Sequence, residues 1–507
     1  MTFLPIVERE LRLAARRKST FAIRGAVALL ASVIGGLFLL FSALDSRSAH
    51  QAGAMVFITL SWYTLILSLL AGVFLASDCL SEERREGTLG FLFLTDLKGY
   101  DVVLGKFAAV ALNAFYGLLA VLPVLSLCLL AGGVTGAEFW RMCLALVNTL
   151  FFSVALAIWV SANCQSAYRA MSATIALLVA FLALTGIASA LASVMTLFST
   201  ALFYVGAVSP VAAFLRAPDA GFSHQAGVFW TSLGVSHLAG WTFLGLASWR
   251  LKFFTETARS SGVWQRVLTR NILAGKSARR SELLEINPVL WLLDDSRRLR
   301  WVAWGVALAG AVALILVASK SWEMASIGSL FLAWPFYFLL KLFFAVQACR
   351  FFSEARRTGS LELLCCTPIT MKTMIRGQWL ALRRLFMWPV IVLIVAQLLC
   401  VGVSLFFFAS AHRRIPVFNA AWFPLLTLLQ IVPDFFALGW FGMWSALSFR
   451  KPGTAAGLTI LYVLILPRIL SCIPMLSLVT DAIFIGVGCS KLQEDFRRRP
   501  VDWSASR

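Results

Sequence analysis

The acidic and basic side chains best placed for polar chemistry lie in one motif that occurs twice. The two copies are Ser81-Glu82-Glu83-Arg84-Arg85-Glu86-Gly87-Thr88-Leu89 and Ser353-Glu354-Ala355-Arg356-Arg357-Thr358-Gly359-Ser360-Leu361. The match continues without a gap as far as Gly105 and Gly377. Each copy lies between long apolar stretches, which indicates two fused copies of one membrane module. A charged segment between apolar spans is where a membrane protein meets a soluble partner, so the motif predicts a docking surface.

The motif also predicts its own backbone. Ser81 and Ser353 are expected to cap a short charged helix, because a serine hydroxyl accepts an unpaired backbone N–H. Gly87 and Gly359 are expected to end that helix in the left-handed conformation, which glycine adopts without steric cost. A second short helix would then begin at Thr88 and Ser360. We name these predicted helix–turn–helix units the first elbow (81–94) and the second elbow (353–366), and we expect each to have an exposed charged tip above an apolar base.

Motifs for catalysis are not recognised in the sequence. The run Gly275-Lys276-Ser277 ends like a phosphate-binding loop, but Arg270 occupies the position of that loop's first glycine. The four histidines are dispersed, and they do not form a metal-ligating pattern with the ten cysteines. We therefore expect neither an enzyme, nor a metal site, nor a cofactor bound to this chain, and any ATP hydrolysis would occur in another subunit.

Polar side chains within apolar stretches are the candidates for a substrate path. The best placed are Asn148, Gln430 and Asp434, with Asn113 and Gln397 as further members. Asp434 follows a proline in an apolar run, where a charge is costly. The alternative for Asp434 is a structural carboxylate that pairs with a neighbouring helix or stays protonated.

Composition places these residues in a membrane. Of the 507 residues 60% are hydrophobic and only 13% are charged, whereas a soluble domain has about a quarter charged. The net charge of +20 comes from cations that flank apolar spans. Membrane lipid head groups and the positive-inside rule explain such cations better than nucleic acid does.

Apolar stretches of about 20 residues predict twelve spans. They are 25–44, 54–77, 104–131, 139–161, 171–192, 227–249, 301–319, 327–349, 386–409, 419–447, 454–470 and 473–490. With twelve spans the basic loops fall on one side, except His412-Arg413-Arg414, which falls on the other. This distribution predicts a multi-pass protein of the cell (inner) membrane with both termini in the cytoplasm. Basic amphipathic helices parallel to the membrane are expected near residues 4–24 and 287–300.

The predicted fold is therefore an all-α polytopic membrane protein of about twelve transmembrane helices in two six-helix parallel repeats. Residues 1–250 would form the first half, 251–286 a cytosolic linker and 287–507 the second half. Interfacial amphipathic helices and the cytosolic elbows complete this architecture.

A known family carries a similar motif. Residues Glu82–Lys106 and Glu354–Gln378 resemble the coupling-helix region of ABC-2-type ABC transporter permeases. The pair Thr367-Pro368 fits the family pattern, whereas Asp96 in the first copy and Gln378 in place of the usual lysine depart from it. The resemblance covers two windows of some 25 residues and the six-span layout of each half.

The resemblance implies a permease subunit of an ATP-driven exporter or flippase. Each elbow would dock on an ATP-binding cassette ATPase subunit, with two copies per chain, and that partner would bind ATP and Mg²⁺. The implied coupling residues are Glu82, Glu83, Arg84, Arg85, Glu86, Gly87, Thr88, Glu354, Arg356, Arg357, Gly359 and Ser360. Two alternatives stay open, namely an ion-coupled secondary transporter and a membrane scaffold subunit that transports nothing.

Overall fold

The computed structural model describes most of the chain from Ala49 onward. The described residues are 49–88, 98–131, 133–192, 208–257, 287–293, 297–320, 322–410, 417–449, 451–467 and 474–502, with Gly206 and seven positions before residue 49. Most of the expected span 25–44, of the interfacial helix at 4–24 and of the linker lies outside them, as does the second helix of the first elbow beyond Thr88.

The described residues form helices without a strand, which confirms the all-α prediction. The chain divides into two compact units, Met1–Ser261 and Gly262–Arg507. The helices of the first unit are α1 Ala49–Ala71, α2 Cys79–Glu86, α3 Gly99–Leu119, α4 Leu122–Ala131, α5 Gly136–Asn163, α6 Ala167–Ala192, α7 Pro210–Arg216 and α8 Asp219–Thr257. Those of the second are α9 Pro288–Leu293, α10 Arg297–Lys320, α11 Trp322–Thr358, α12 Ser360–Cys365, α13 Met371–Ser410, α14 Val417–Ser448, α15 Pro452–Ile460 and α16 Pro474–Asp502.

Six helical stretches among the described residues are long and apolar enough to cross a membrane, so the chain is a helical membrane protein. They are Gly53–Glu86, Gly99–Leu129, Gly136–Asn163, Ala167–Thr185, Ala333–Thr358 and Met371–Val403. Each contains or overlaps one of the predicted spans. The predicted spans 227–249 and 419–447 lie within α8 and α14, and α16 contains residues 474–490 of the predicted span 473–490. Two shorter apolar helical stretches cover Leu299–Ile315 and Pro452–Ile465.

Helix α5 forms the core of the first unit, where small residues let helix backbones approach closely. Gly72 lies directly against the Ser153 backbone, so that a Cβ at residue 72 would overlap it. The Ser153 hydroxyl donates a 2.6 Å hydrogen bond to the Leu69 carbonyl. Immediately after this contact α1 widens into a π-helical turn, Gly72–Ala76. A side chain that binds into a helix ladder commonly accompanies such a distortion.

Helix α11 has the equivalent central place in the second unit, between α10, α13 and α14. Gly439 accommodates the Trp379 ring, and Gly442 lies against Ala348. A second π-helical turn, Leu461–Ile465, follows α15.

At the end of α5 remote from the first elbow, one salt bridge holds three helices of the first unit together. Arg141 pairs with Asp219 at the start of α8 and donates a 2.9 Å hydrogen bond to the Ala217 carbonyl beyond α7. The Thr135 hydroxyl, which caps α5, donates to Asp219 at 2.7 Å. The hydrogen bond from Thr135 and, after it, the interaction with Arg141 hold the pKa of Asp219 below its usual value.

We expect this carboxylate to make the stability of the protein depend on pH in the acid range. A depressed folded-state pKa contributes stability that is present above the ordinary aspartate range and lost as the pH falls through the folded pKa. Because Asp219 is half-exposed, the contribution is on the order of 0.5 kcal/mol. Thermal unfolding of the Asp219→Asn variant should show a smaller loss of stability in acid than the unmodified chain. An equal loss in both proteins would contradict the assignment.

Candidate functional site

Both elbows turn at a glycine in the left-handed conformation, as predicted. Gly87 follows α2 with φ of 74°, and Gly359 follows α11 with φ of 71°. A Cβ built at either glycine meets no described atom within 4 Å. The backbone conformation, rather than lack of space, is therefore what requires glycine here. Ser360 begins α12, as predicted, and Thr88 continues helically after the first turn.

The predicted serine caps are wrong. Ser353 lies inside α11, which continues without a break from the apolar span to Thr358. Ser81 lies inside α2, where the N-cap residue is Asp78. The hydroxyl that receives the first amides of α2 belongs to Ser161 of α5, which accepts from the Leu80 and Ser81 N–H groups at 3.1 and 3.0 Å. A cap supplied by another helix leaves no local signal in the sequence.

Glu83 anchors the first elbow to the helix bundle. Its carboxylate lies 2.8 Å from the Lys106 ammonium on α3, and the Thr88 hydroxyl donates both to this carboxylate and to the Glu83 carbonyl. Arg9 lies 3.8 Å away. The Glu83 side chain is only 13% exposed. The expectation of a wholly exposed charged tip is therefore wrong for Glu83, because the long Lys106 side chain reaches it across the packed surface.

Arg85 makes a second anchor on the opposite side of α2. It lies 2.8 Å from the Asp78 carboxylate, and its guanidinium approaches the Gln165 carbonyl beyond α5 at 3.5 Å. Glu82 and Arg84 are half-buried, and Glu86 is exposed. The surface that the first elbow presents is therefore centred on Glu86 and Gly87, with Glu82 and Arg84 at its edge.

The second elbow is anchored through an arginine. Arg356 donates a 2.6 Å hydrogen bond to the Leu447 carbonyl at the end of α14, where backbone acceptors lack helical partners. Glu354 pairs with Arg350 one turn earlier, at 3.4 Å. Arg357 is exposed.

The second elbow also presents an apolar tip. Leu363 is 71% exposed beyond the turn. The exposed residues around it are Arg357, Thr358, Glu362, Cys365, Cys366, Thr367 and Pro368. Burial, the neighbouring Cys366 and Glu362 raise the pKa of the Cys365 thiol in that order, so this thiol stays protonated near neutral pH. The surface suits the binding of a protein better than thiol chemistry.

Among the differences between the two motif copies, one involves a pair of positions that are in contact in the first copy. The second motif has Ala355 where the first has Glu83, and Gln378 where the first has Lys106. The Gln378 amide instead donates to the Gln347 and Ala348 carbonyls of α11, at 3.0 and 3.3 Å. Both partners of the ion pair are thus replaced together by neutral residues.

Asn148, a predicted member of the substrate path, joins a polar cluster on α5 and α8. Its amide donates to the Ser236 hydroxyl at 2.7 Å, and its carbonyl oxygen lies 3.1 Å from His237 Nδ1. Trp241 Nε1 donates to His237 Nε2 at 3.1 Å, an arrangement in which Nδ1 is the nitrogen that donates to Asn148. His237 is exposed on the unit surface. The sequence analysis missed it, although His237 and Trp241 lie one helical turn apart.

Gln430 and Asp434 are both buried on α14 of the second unit. Asp434 forms a buried ion pair with Lys341 on α11. The sequence analysis did not identify Lys341 either. A lone lysine within the predicted span 327–349 was the available signal. Asn148 belongs to the first unit, so these three residues do not form one cluster within either unit. Gln397 is buried on α13, and Asn113 is half-buried on α3.

In the part of the chain that the structure describes, no group of three His, Cys, Asp or Glu side chains is arranged to hold a metal ion. No protein-family model and no curated protein matches the chain. The functional argument therefore depends on the geometry of the elbows and of the buried polar groups.

Proposed function

We propose that the chain is the membrane-spanning permease subunit of an ATP-driven exporter or flippase, powered by a separate ATP-binding cassette ATPase. Two six-span halves, about twelve spans in all, would cross the cell (inner) membrane, with both termini in the cytoplasm. Each elbow would receive one copy of the ATPase subunit, which binds ATP and Mg²⁺. The substrate would be hydrophobic or amphipathic.

The observation that carries this proposal is the common backbone of the two elbows. Each follows an apolar helix, carries two arginines in the last turn and reverses at a left-handed glycine. Each is also fixed to a second helix, through the Ser161 hydroxyl in one case and the Leu447 carbonyl in the other. A docking element that is fixed in this way can transmit a displacement of its partner to the membrane helices.

The exposed surfaces fit such docking. Leu363 provides an apolar side chain that a groove can bury, and Arg357 and Glu362 beside it can form pairs at the rim. Exposed apolar anchors with a charged rim are typical of helix-in-groove recognition. The proposed polar contacts of the substrate are the Asn148–His237 cluster in the first unit and the side chains of Gln430 and Asp434 on α14 in the second.

Charge reversal at the exposed rims tests the proposal. In a gentle-detergent purification of the tagged full chain, we expect the ATPase to co-purify in a fixed ratio. The variant Glu82→Lys, Glu86→Lys, Arg357→Glu, Glu362→Lys should reduce the bound ATPase about tenfold or more, because like charges would face each other across the interface. Glu83 stays unchanged in this variant because it anchors the elbow from inside. ATPase activity and identification of the co-purified chain are the two measurements.

The matched control is Glu494→Lys, which reverses an exposed charge on α16. It should bind the ATPase as the unmodified chain does. Recovery of the chain without any ATPase would overturn the proposal. Substrate uptake driven by an ion gradient in ATPase-free vesicles would then identify a secondary transporter, for which the buried Lys341–Asp434 pair is the supporting observation. The absence of any transport would favour the scaffold.

A further inference from the structure

Four cations occupy the end of α13 that adjoins the second elbow, and we name them the basic stripe. Lys372, Arg376, Arg383 and Arg384 are all exposed. The ion pairs of the described residues do not include any of these four side chains. Arg383 Nε donates to the Met387 sulfur at 3.3 Å, which is a weak acceptor. The described structure therefore leaves the basic stripe accessible to an anion.

The matched helix of the first unit lacks the basic stripe. Helix α3 begins at Gly99 and α13 at Met371, with the same spacing that relates Gly87 to Gly359. Tyr100 and Leu112 are exposed on α3, whereas Leu104 and Ala111 are half-buried. These are the residues matched to Lys372, Arg384, Arg376 and Arg383, respectively. A helix in this place therefore folds without cations, which points to a function of the basic stripe that is confined to the second unit.

The basic stripe continues directly into an exposed apolar face of α13. Arg384 is followed at steps of four and three residues by Trp388, Ile391, Val395 and Leu398, so all five lie on one side of the helix. The four apolar side chains are 37–57% exposed. They lie within Met371–Val403, which is long and apolar enough to cross a membrane. Lipid is therefore the medium that suits this face.

The exposed tryptophan indicates the level of the lipid head groups. Tryptophan is enriched where the hydrocarbon meets the head groups, so Trp388 places Arg383 and Arg384 beside the phosphates of the leaflet on the elbow side. Arg376 lies about 10 Å further along the helix toward the elbow. The two adjacent arginines and Arg376 therefore lie at successive depths of the head-group layer.

Arginine is the side chain that best matches a phosphate at this depth. Its planar guanidinium stays charged and donates two parallel hydrogen bonds to phosphate oxygens. A cation at the edge of the hydrocarbon is costly unless its long side chain reaches the head groups. An anionic head group removes that cost, because it supplies the opposite charge at the place where the guanidinium groups lie.

We propose that the elbow end of α13 is a binding site for an anionic phospholipid. Arg383 and Arg384 hold its phosphate, Arg376 and Lys372 attract the outer part of its head group, and an acyl chain lies along Trp388 and the apolar face beyond it. A lipid fits better than an acidic protein surface, because the exposed face continues from the arginines into the membrane without a break. The site does not depend on the ATPase assignment.

Native mass spectrometry of the full chain in detergent tests the proposal. In an equimolar mixture of phosphatidylglycerol and phosphatidylcholine, the unmodified chain should retain phosphatidylglycerol in preference. The variant Arg383→Gln, Arg384→Gln should lower this preference about tenfold, because each cation beside the head group adds to the attraction. The matched control Lys98→Gln, Arg250→Gln removes two exposed cations from the first unit and should leave the preference unchanged. Equal losses in both variants would overturn the proposal, because net charge would then explain the binding.

A second variant keeps the test decisive if the glutamine variant fails to insert. Arg383→Lys, Arg384→Lys preserves the charges that orient a span. It should lower the preference for phosphatidylglycerol about threefold, since an ammonium group lacks the planar fork of a guanidinium. An unchanged preference in either arginine variant would overturn the proposal.

Two further measurements separate a lipid from other anions. Inorganic phosphate should displace phosphatidylglycerol no better than sodium chloride of the same ionic strength, because the acyl chains add to the binding. Stronger displacement by phosphate would assign a free anion to the site and overturn the proposal. Loss of the co-purified ATPase from Arg383→Gln, Arg384→Gln with an unchanged lipid preference would assign a protein partner and overturn it equally.

Discussion

We expect Gly359→Val to release the proposed cassette ATPase from the second elbow while the membrane helices stay folded. Residue 359 has φ of 71°, where a side chain with a Cβ costs about 1–2 kcal/mol and a β-branched side chain costs more. No atom of the described residues lies within 4 Å of a Cβ built at this position, so the cost comes from the backbone conformation. The elbow relieves the strain by changing its angle, and 1.4 kcal/mol in the docked geometry corresponds to about tenfold weaker binding. Quantification of co-purified ATPase per chain measures this loss.

Asparagine provides the matched control, because its short polar side chain tolerates the left-handed conformation. Gly359→Asn should retain most of the bound ATPase. The same two substitutions at Gly87, where φ is 74°, test the docking of the first elbow. Equal binding by the valine and asparagine variants would show that the turn geometry has no part in docking.

Lys106→Gln will destabilise the first unit by about 3 kcal/mol, because removal of one partner leaves a buried charge uncompensated. The Glu83 side chain is 13% exposed, and within the described part of the chain the more distant Arg9 is the cationic partner that remains. The elbow should loosen with the loss of its anchor. Thermal unfolding of the purified chain and protease sensitivity near residue 87 are the measurements.

The second elbow suggests the compensating change. It carries Ala355 and Gln378 at the matched positions, where a neutral amide binds helix carbonyls instead of a carboxylate. The double variant Glu83→Ala, Lys106→Gln should therefore recover most of the lost stability, since no charge is left without a partner. A double variant less stable than Lys106→Gln would contradict this account of the pair.

Features that depend on residue type alone could be predicted from the sequence. Gly87 and Gly359 were placed correctly because few other residues adopt a positive φ at a helix end. Long apolar stretches predicted the six helical stretches of the described residues that are long and apolar enough to cross a membrane, because the hydrocarbon thickness fixes the length of a span. The helical class follows from the same constraint, since helices satisfy their backbone hydrogen bonds internally.

Features that depend on contacts between distant residues could not be predicted. Glu83 meets Lys106 across 23 residues, and Lys341 meets Asp434 across 93 residues. Spacing within one helix carries no information on such pairs. The Ser81 prediction was wrong for a related reason, since the first amides of α2 bind the Ser161 hydroxyl, 80 residues away. A hydroxyl residue near a helix start usually indicates an N-cap, but here a hydroxyl from another helix accepts those hydrogen bonds.

The widened turn Gly72–Ala76 lies between the apolar span of α1 and the first elbow. A π-helical turn contains one residue more than the α-helical turn it replaces. In an α-helix, each residue added or removed rotates everything beyond it by about 100°. This turn therefore sets the azimuth at which Glu83 meets Lys106 and Arg85 meets the Gln165 carbonyl. If the extra residue were deleted, the charged face of the first elbow would point away from its anchors, although no charged residue had changed.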